Sequence, residues 1–277
     1  VLDDARLLGW DELCMFFSSD NEYILTGHRK ASSSYLGSLK SILRVHNETV
    51  NIWSHVLGAL AFLTAAGTLY SMPYPSRPCT QKADVLAIFI YFASVIACFV
   101  FSFIYHIFLD HSEQTRKITC RFDYLGIIVP LWGTTVASTH FGLVCEPALQ
   151  YRYQALATIA GGLSAIATLH PLLSGPNGKP VRTAMYCLLG ISSFLPVVHG
   201  VMLHGFEEHN RRMSLQPFLG LATCHSTGAM LYAARIPERW FPRRFDIVGS
   251  SHQLMHVLVV VGAVCYCIGV LEAFEHW

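Results

Sequence analysis

Residues 87–108 read AIFIYFASVIACFVFSFIYHIF and contain no Asp, Glu, Lys or Arg over 22 positions. A helix rises about 1.5 Å per residue, so roughly 20 apolar residues cross the hydrocarbon core of a bilayer. This stretch therefore predicts a membrane-spanning helix that runs from about Ala83 to Leu109.

Six further stretches of the chain have the same length and apolar character, and Pro, Gly and polar residues separate them, as at residues 72–78 and 174–180. The seven predicted spans are approximately Val50–Ser71, Ala83–Leu109, Tyr124–Val144, Gln154–Leu173, Val181–Leu203, Leu215–Ala234 and Gln253–Phe274. We predict an all-α, multi-pass membrane protein with seven transmembrane helices in residues 49–277. Residues 1–48 are predicted to form a cytosolic segment that lies partly on the membrane surface.

The overall composition agrees with this prediction. Hydrophobic residues make up 53% of the chain and charged residues only 13%, with a mean hydropathy of +0.42, which excludes a disordered chain and an ordinary soluble domain. The formal net charge is +1 and the basic residues occur in short clusters, so nucleic acid is not an expected partner. Nine cysteines without a CxxC pair argue against a disulfide scaffold, and only Cys79 and Cys145 are placed in predicted loops.

The distribution of Lys and Arg predicts how the chain is oriented. If the N-terminus is cytosolic, 14 of the 19 basic residues lie on the cytosolic side and 5 on the other. The C-terminus then lies outside. This orientation is the reverse of that of G-protein-coupled receptors, so no G protein is expected as a partner.

Two histidines at the start of the seventh predicted span have the spacing of metal ligands. His252 and His256 are four residues apart, which places both imidazoles on one face of a helix. Helical pairs of this kind bind zinc in several classes of protein. The motif alone is weak evidence, because so short a pattern also occurs by chance. Interfacial or hydrogen-bonded histidines are the alternative.

The predicted topology brings other chemical groups to the same membrane depth. His106 lies near the cytosolic end of the second span and Asp123 at the cytosolic start of the third. Three imidazoles and one carboxylate match a catalytic zinc site in which Asp123 holds a water as general base. A buried hydrogen-bonded pair of His106 and Asp123 is the alternative. Ser102, one turn before His106, is placed to bond the water or substrate, or simply to pack between helices.

Glu48, Asn51 and His55 share one face of the first span. We expect them to bond neighbouring helices or the preceding loop rather than to enter the site. The remaining intramembrane histidines have no partner at zinc spacing and are predicted to serve packing or interfacial roles; they are His140, His170, His199, His204 and His225.

Several of these motifs, in this order, closely resemble the progestin and adiponectin receptor family, which includes haemolysin III-like proteins and fungal members. The matching motifs are NETVNIWSH at 47–55, Ser102 with His106, His111-Ser112, Asp123-Tyr124 and SHQLMHVLVV at 251–260. The resemblance extends from about Trp10 to Glu272 and points to a fungal adiponectin-receptor-like member.

The resemblance implies an intramembrane zinc near the cytosolic face, bound at His106, His252 and His256, with Asp123 holding a water. It also implies a ceramide-hydrolysing activity and a role in lipid and zinc homeostasis signalling, with membrane lipid (ceramide or fatty acid) and an extracellular protein or steroid as partners. The plasma membrane or the endoplasmic reticulum is the expected location. Two functions stay open: a zinc-dependent lipid amide hydrolase, and a non-enzymatic receptor or sensor with a structural zinc.

Overall fold

The computed structural model describes residues 6–12, 21–71, 82–171, 173 and 178–277. In these ranges the chain is helical, and its β structure is limited to one isolated bridge between Leu8 and His28. After a short 3-10 helix, Trp10–Glu12, the α-helices are α1 Tyr35–Ser41, α2 Thr49–Ser71, α3 Lys82–Phe108, α4 Glu113–Gly142, α5 Pro147–Leu169, α6 Lys179–Ser192, α7 Phe194–His204, α8 Phe206–Met213, α9 Leu215–Ala234 and α10 Ser251–His276. The predicted all-α class is confirmed.

Four helical segments in the described ranges are long and apolar enough to cross a bilayer: Thr49–Ser71, Lys82–Phe108, Lys179–His204 and Ser251–His276. They coincide with the first, second, fifth and seventh predicted spans. The other three predicted spans fall on α4, α5 and α9. The predicted break at 72–78 and Cys79 lie outside the described residues, as do residues 174–177 of the predicted break at 174–180, whereas Cys145 is exposed.

The chain divides into two compact units. Unit 1 comprises Val1–Gly58, Phe99–Asp123 and Ala222–Gly262, and unit 2 comprises Ala59–Cys98, Tyr124–Leu221 and Ala263–Trp277. Every site residue predicted from the sequence belongs to unit 1. The domain boundary at residue 48 stays a prediction.

In unit 1, the segment before α2 contacts the end of α3 through a buried arginine. The Arg29 guanidinium donates to the backbone carbonyls of His106 at 2.6 Å and Ile107 at 3.0 Å, and it lies 3.4 Å from the Asp110 carboxylate. The last carbonyls of a helix have no partner within the helix, so this side chain satisfies two of them. The contact fixes the helical turn that carries His106.

The loop between α9 and α10 is also tied to the N-terminal segment in unit 1. Asp246 accepts hydrogen bonds from the Leu25 backbone N–H at 3.1 Å and the Thr26 hydroxyl at 2.7 Å. Gly27 has φ +84°, a backbone conformation that favours glycine, and a Cβ there would require the end of the Ile247 side chain to move. These contacts hold the loop that leads into α10.

Unit 2 has an aromatic core. Tyr266 packs edge-on against Tyr91 and Phe218, with ring centroids 5.2 and 5.7 Å apart, and the Tyr91 hydroxyl donates to the Ala263 carbonyl at 2.7 Å. Several histidines of this unit bond neighbouring side chains; the pairs are His140 with Asp84 at 2.7 Å, His199 with Tyr153 at 2.9 Å and His204 with Glu146 at 2.8 Å.

Candidate metal centre

The first turn of α10 is held by a buried carboxylate from the preceding loop. Glu238 is fully buried and accepts a hydrogen bond from the Ser251 backbone N–H at 2.8 Å and another from the Ser251 hydroxyl. A carboxylate at a helix N-terminus satisfies a free backbone donor and interacts favourably with the helix dipole. The orientation of the turn that carries His252 is therefore fixed.

His252 lies on this turn and His256 one turn later, and each directs its Nε2 atom toward the other. Their Nε2 atoms lie 3.0 Å apart. Two nitrogen ligands on one tetrahedral zinc, each at roughly 2.0–2.1 Å, are separated by about 3.3 Å. The spacing of the pair is thus close to that of two ligands of one ion, and it also permits a hydrogen bond between two neutral imidazoles.

His106 completes a group of three imidazoles. Its ring centroid lies 5.1 Å from that of His252 and 4.8 Å from that of His256, and one nitrogen of each residue lies within 4.8 Å of the others. His106 and His256 are 2% exposed, and Nε2 of His106 is buried without a hydrogen-bond partner among the described residues. Three imidazoles, of which His106 and His256 are buried and His252 half-buried, fit the donor set of a zinc ion that keeps a fourth position open.

Asp123 and Ser102 lie beside this group. The Ser102 hydroxyl lies within interaction range of the Asp123 carboxylate, which is close enough to His106 for their charges to interact. Asp123 is not one of the residues whose donor atoms cluster within 4.8 Å. The structure therefore places the carboxylate near the three histidines without making it one of their group.

The carboxylate that bonds directly to His106 is Glu48. Its Oε2 lies 2.7 Å from Nδ1 of His106, and the Asn51 amide donates to the same oxygen at 2.7 Å. His55 stacks on His256 with ring centroids 4.0 Å apart. The spacing of these three residues predicted that they share one face and bond their neighbours, but it could not identify His106 as the partner of Glu48.

Comparison with known proteins shows the family to which the chain is similar. Residues 43–267 match the family model described as "Haemolysin-III related". The chain is 36% identical over 254 residues to "Adiponectin receptor protein" of Drosophila melanogaster, covering 91% of this chain and 56% of that protein. It is 32% identical over 271 residues to "ADIPOR-like receptor IZH2" of Saccharomyces cerevisiae, covering 98% and 84%. "Progestin and adipoQ receptor-like protein 1" of Caenorhabditis elegans is 32% identical, with 91% and 58% covered.

The chain therefore belongs to the haemolysin-III related family of adiponectin-receptor-like membrane proteins. The resemblance seen in the sequence motifs is confirmed, including the similarity to fungal members. The chain spans just over half the length of the Drosophila and Caenorhabditis relatives.

Proposed function

We propose that this protein is a zinc-dependent hydrolase of long-chain lipid amides, with ceramide as the substrate class and a role in lipid and zinc homeostasis signalling. Its site is the three-histidine group of His106, His252 and His256. The observation that carries the proposal is the position of the Asp123 carboxylate, which lies beside this group and close to Ser102.

The proposed arrangement in the membrane has seven transmembrane helices, a cytosolic N-terminus and an outside C-terminus. It is supported by four long apolar helical segments and by the excess of basic residues on the predicted cytosolic side. The site then lies in the cytosolic leaflet of the plasma membrane or of the endoplasmic reticulum membrane, where a lipid amide enters from the side.

Each residue has a distinct part in the proposed reaction. Zinc, when bound by the three histidines, lowers the pKa of water toward about 7 and polarises an amide carbonyl. Asp123 takes the proton from the attacking water as a C–O bond forms at the carbonyl carbon. When the C–N bond breaks, Asp123 returns that proton to the leaving amine. Ser102 is a positioning residue, because it contacts Asp123.

The second candidate function is a receptor or sensor whose zinc is structural, with an extracellular protein or a steroid as the ligand. The names of the relatives favour it, since three of them are called receptors or receptor-like. A zinc held by His106 on α3 and by two residues of α10 would link these helices, so movement of either helix would be coupled to the site.

Ceramide hydrolysis by the purified protein in lipid nanodiscs separates the two functions. We expect zinc-loaded wild type to release fatty acid, and Asp123→Asn to retain zinc while losing roughly 10²- to 10⁴-fold in rate. Zinc analysis and thermal unfolding of both proteins show whether the variant remains folded and loaded. Wild-type protein that carries zinc but hydrolyses none of a panel of long-chain amides would favour the receptor function.

A further inference from the structure

We propose that Glu48 is the positioning residue of the metal centre: its carboxylate fixes the orientation and tautomer of His106 so that Nε2 is available to the metal. The inference rests on the proposed zinc site. Glu48 lies just before α2, 58 residues away in sequence from the histidine that it contacts.

The contact defines which ring nitrogen carries the hydrogen. Oε2 of Glu48 lies 2.7 Å from Nδ1 of His106, and the two side chains are 14% and 3% exposed. An ionised carboxylate only accepts hydrogen bonds, so Nδ1 of His106 is the donor and carries the proton. In the neutral ring the lone pair is then on Nε2, the nitrogen that is buried without a hydrogen-bond partner among the described residues.

Glu48 is itself held in place from two sides. The buried Asn51 amide, one turn along α2, donates to Oε2 at 2.7 Å. The Glu48 backbone N–H donates to Nδ1 of His46 at 3.1 Å. With the side chain and the backbone both fixed, the carboxylate has little freedom to rotate away from His106.

Charge gives Glu48 a second effect on the site. Three neutral imidazoles bring no negative charge to a divalent cation. A carboxylate bonded to the far nitrogen of one ligand makes that ligand more basic and partly compensates the charge of the ion. Partners of this kind are typically worth 10- to 100-fold in metal affinity.

Unit 2 contains a matched pair that separates this role from simple structural support. The Asp84 carboxylate lies 2.7 Å from Nε2 of His140, with both side chains 12% exposed. The distance and partial burial resemble those of the pair of Glu48 and His106, but His140 is not in the three-histidine group. Replacing either carboxylate by its amide removes the charge from a comparable hydrogen bond, and only the change at Glu48 should alter metal binding.

The test measures two properties of the wild-type chain and of Glu48→Gln, Glu48→Met and Asp84→Asn. They are the zinc affinity, by chelator competition, and the visible absorption spectrum after Co²⁺ substitution. Glu48→Gln keeps an acceptor oxygen and loses the charge, whereas Glu48→Met loses both. We expect affinity to fall by roughly 10- to 100-fold in Glu48→Met and by less in Glu48→Gln, with Asp84→Asn unchanged. The Co²⁺ bands should change most in Glu48→Met.

Thermal unfolding of the metal-free proteins shows whether each variant is folded before its zinc affinity is compared with that of wild type. If Glu48→Met does not fold, the comparison of Glu48→Gln with Asp84→Asn decides. Wild-type affinity and an unchanged Co²⁺ spectrum in the folded Glu48 variants overturn the role of Glu48 while the zinc site stands. Wild type that binds no zinc overturns the metal centre itself, and this inference with it.

Discussion

Nε2 of His252 faces Nε2 of His256 across 3.0 Å, one turn apart on α10. Without a metal, two neutral rings at this distance form a hydrogen bond only if one Nε2 carries a proton. A metal needs the lone pairs of both nitrogens, so its binding requires a change of tautomer or the loss of a proton. The pair is therefore the part of the site whose hydrogen bonding depends most on metal occupancy.

Removing either histidine of this pair should abolish stoichiometric zinc binding. We expect purified wild type to carry about one zinc per chain and His256→Ala to lose most of it, because two imidazoles are too few for a tetrahedral protein site. Elemental analysis of both proteins measures this. The control is His225→Gln on α9, since His225 bonds the Val259 carbonyl at 3.4 Å and is not in the three-histidine group. Equal zinc in wild type and His256→Ala would contradict the assignment.

Ser102→Ala should slow amide hydrolysis without loss of zinc. In the proposed mechanism the Ser102 hydroxyl positions the nearby Asp123 carboxylate, so its removal leaves the carboxylate less well oriented. A rate decrease of about 10-fold corresponds to roughly 1.4 kcal/mol, the size of one hydrogen bond to a charged group. Fatty acid release and zinc content are measured together. Ser138→Ala removes a buried hydroxyl that bonds the Thr135 carbonyl at 3.2 Å and should leave the rate unchanged. Loss of zinc in Ser102→Ala would assign Ser102 to metal binding instead.

The sequence predicted the grouping of the three histidines better than the contacts that support it. Apolar length located α2, α3 and α10, and the spacing of His252 and His256 placed both rings on one face, because helix periodicity is local. The bond between Glu48 and His106 joins residues 58 positions apart, and that between Arg29 and the His106 carbonyl joins residues 77 apart. These two hydrogen bonds form because a loop packs against the end of a helix. Such long-range packing cannot be predicted from a local sequence pattern.

Arg29 should contribute strongly to stability. Arg29→Met leaves the Asp110 carboxylate and the carbonyls of His106 and Ile107 without this buried donor. Breaking a buried ion pair on one side typically costs about 3–5 kcal/mol. We expect a clear decrease in the unfolding temperature in detergent. Lys117→Met removes an exposed ion pair with Glu113 and should change stability by less than about 1 kcal/mol. Similar unfolding temperatures for Arg29→Met and wild type would show that the contact is weak.

The proposed orientation predicts the accessibility of the chain ends. A tag before residue 6 should resist protease added to intact cells, and a tag after Trp277 should be cleaved, if the protein is in the plasma membrane. For protein in the endoplasmic reticulum, sealed microsomes replace cells and the accessibility is reversed. An N-terminal tag on the extracellular or luminal side would contradict the orientation expected from the 14 to 5 distribution of basic residues.

His209 in unit 2 should make the stability of the protein depend on pH. Its ring is 1% exposed, packs against Gly142 and Gly200, and has no hydrogen-bond partner for either nitrogen among the described residues. Burial, together with the positive charges of His204 and Arg212, lowers the pKa of His209 from 6.5 to about 4, although the Glu146 carboxylate acts in the opposite direction.

The sign of the effect follows from proton binding. Between pH 6.5 and about 4 the unfolded chain binds a proton at His209 and the folded protein does not, so the free energy of unfolding falls as the pH falls. His209→Leu removes this proton-binding group. As the pH is lowered over the same range, the unfolding temperature of the variant should therefore decrease less than that of wild type. Both proteins are compared metal-free, because loss of a bound metal in acid also lowers stability. An identical pH dependence in the two proteins would show that His209 is already protonated in the folded state or exchanges freely with solvent.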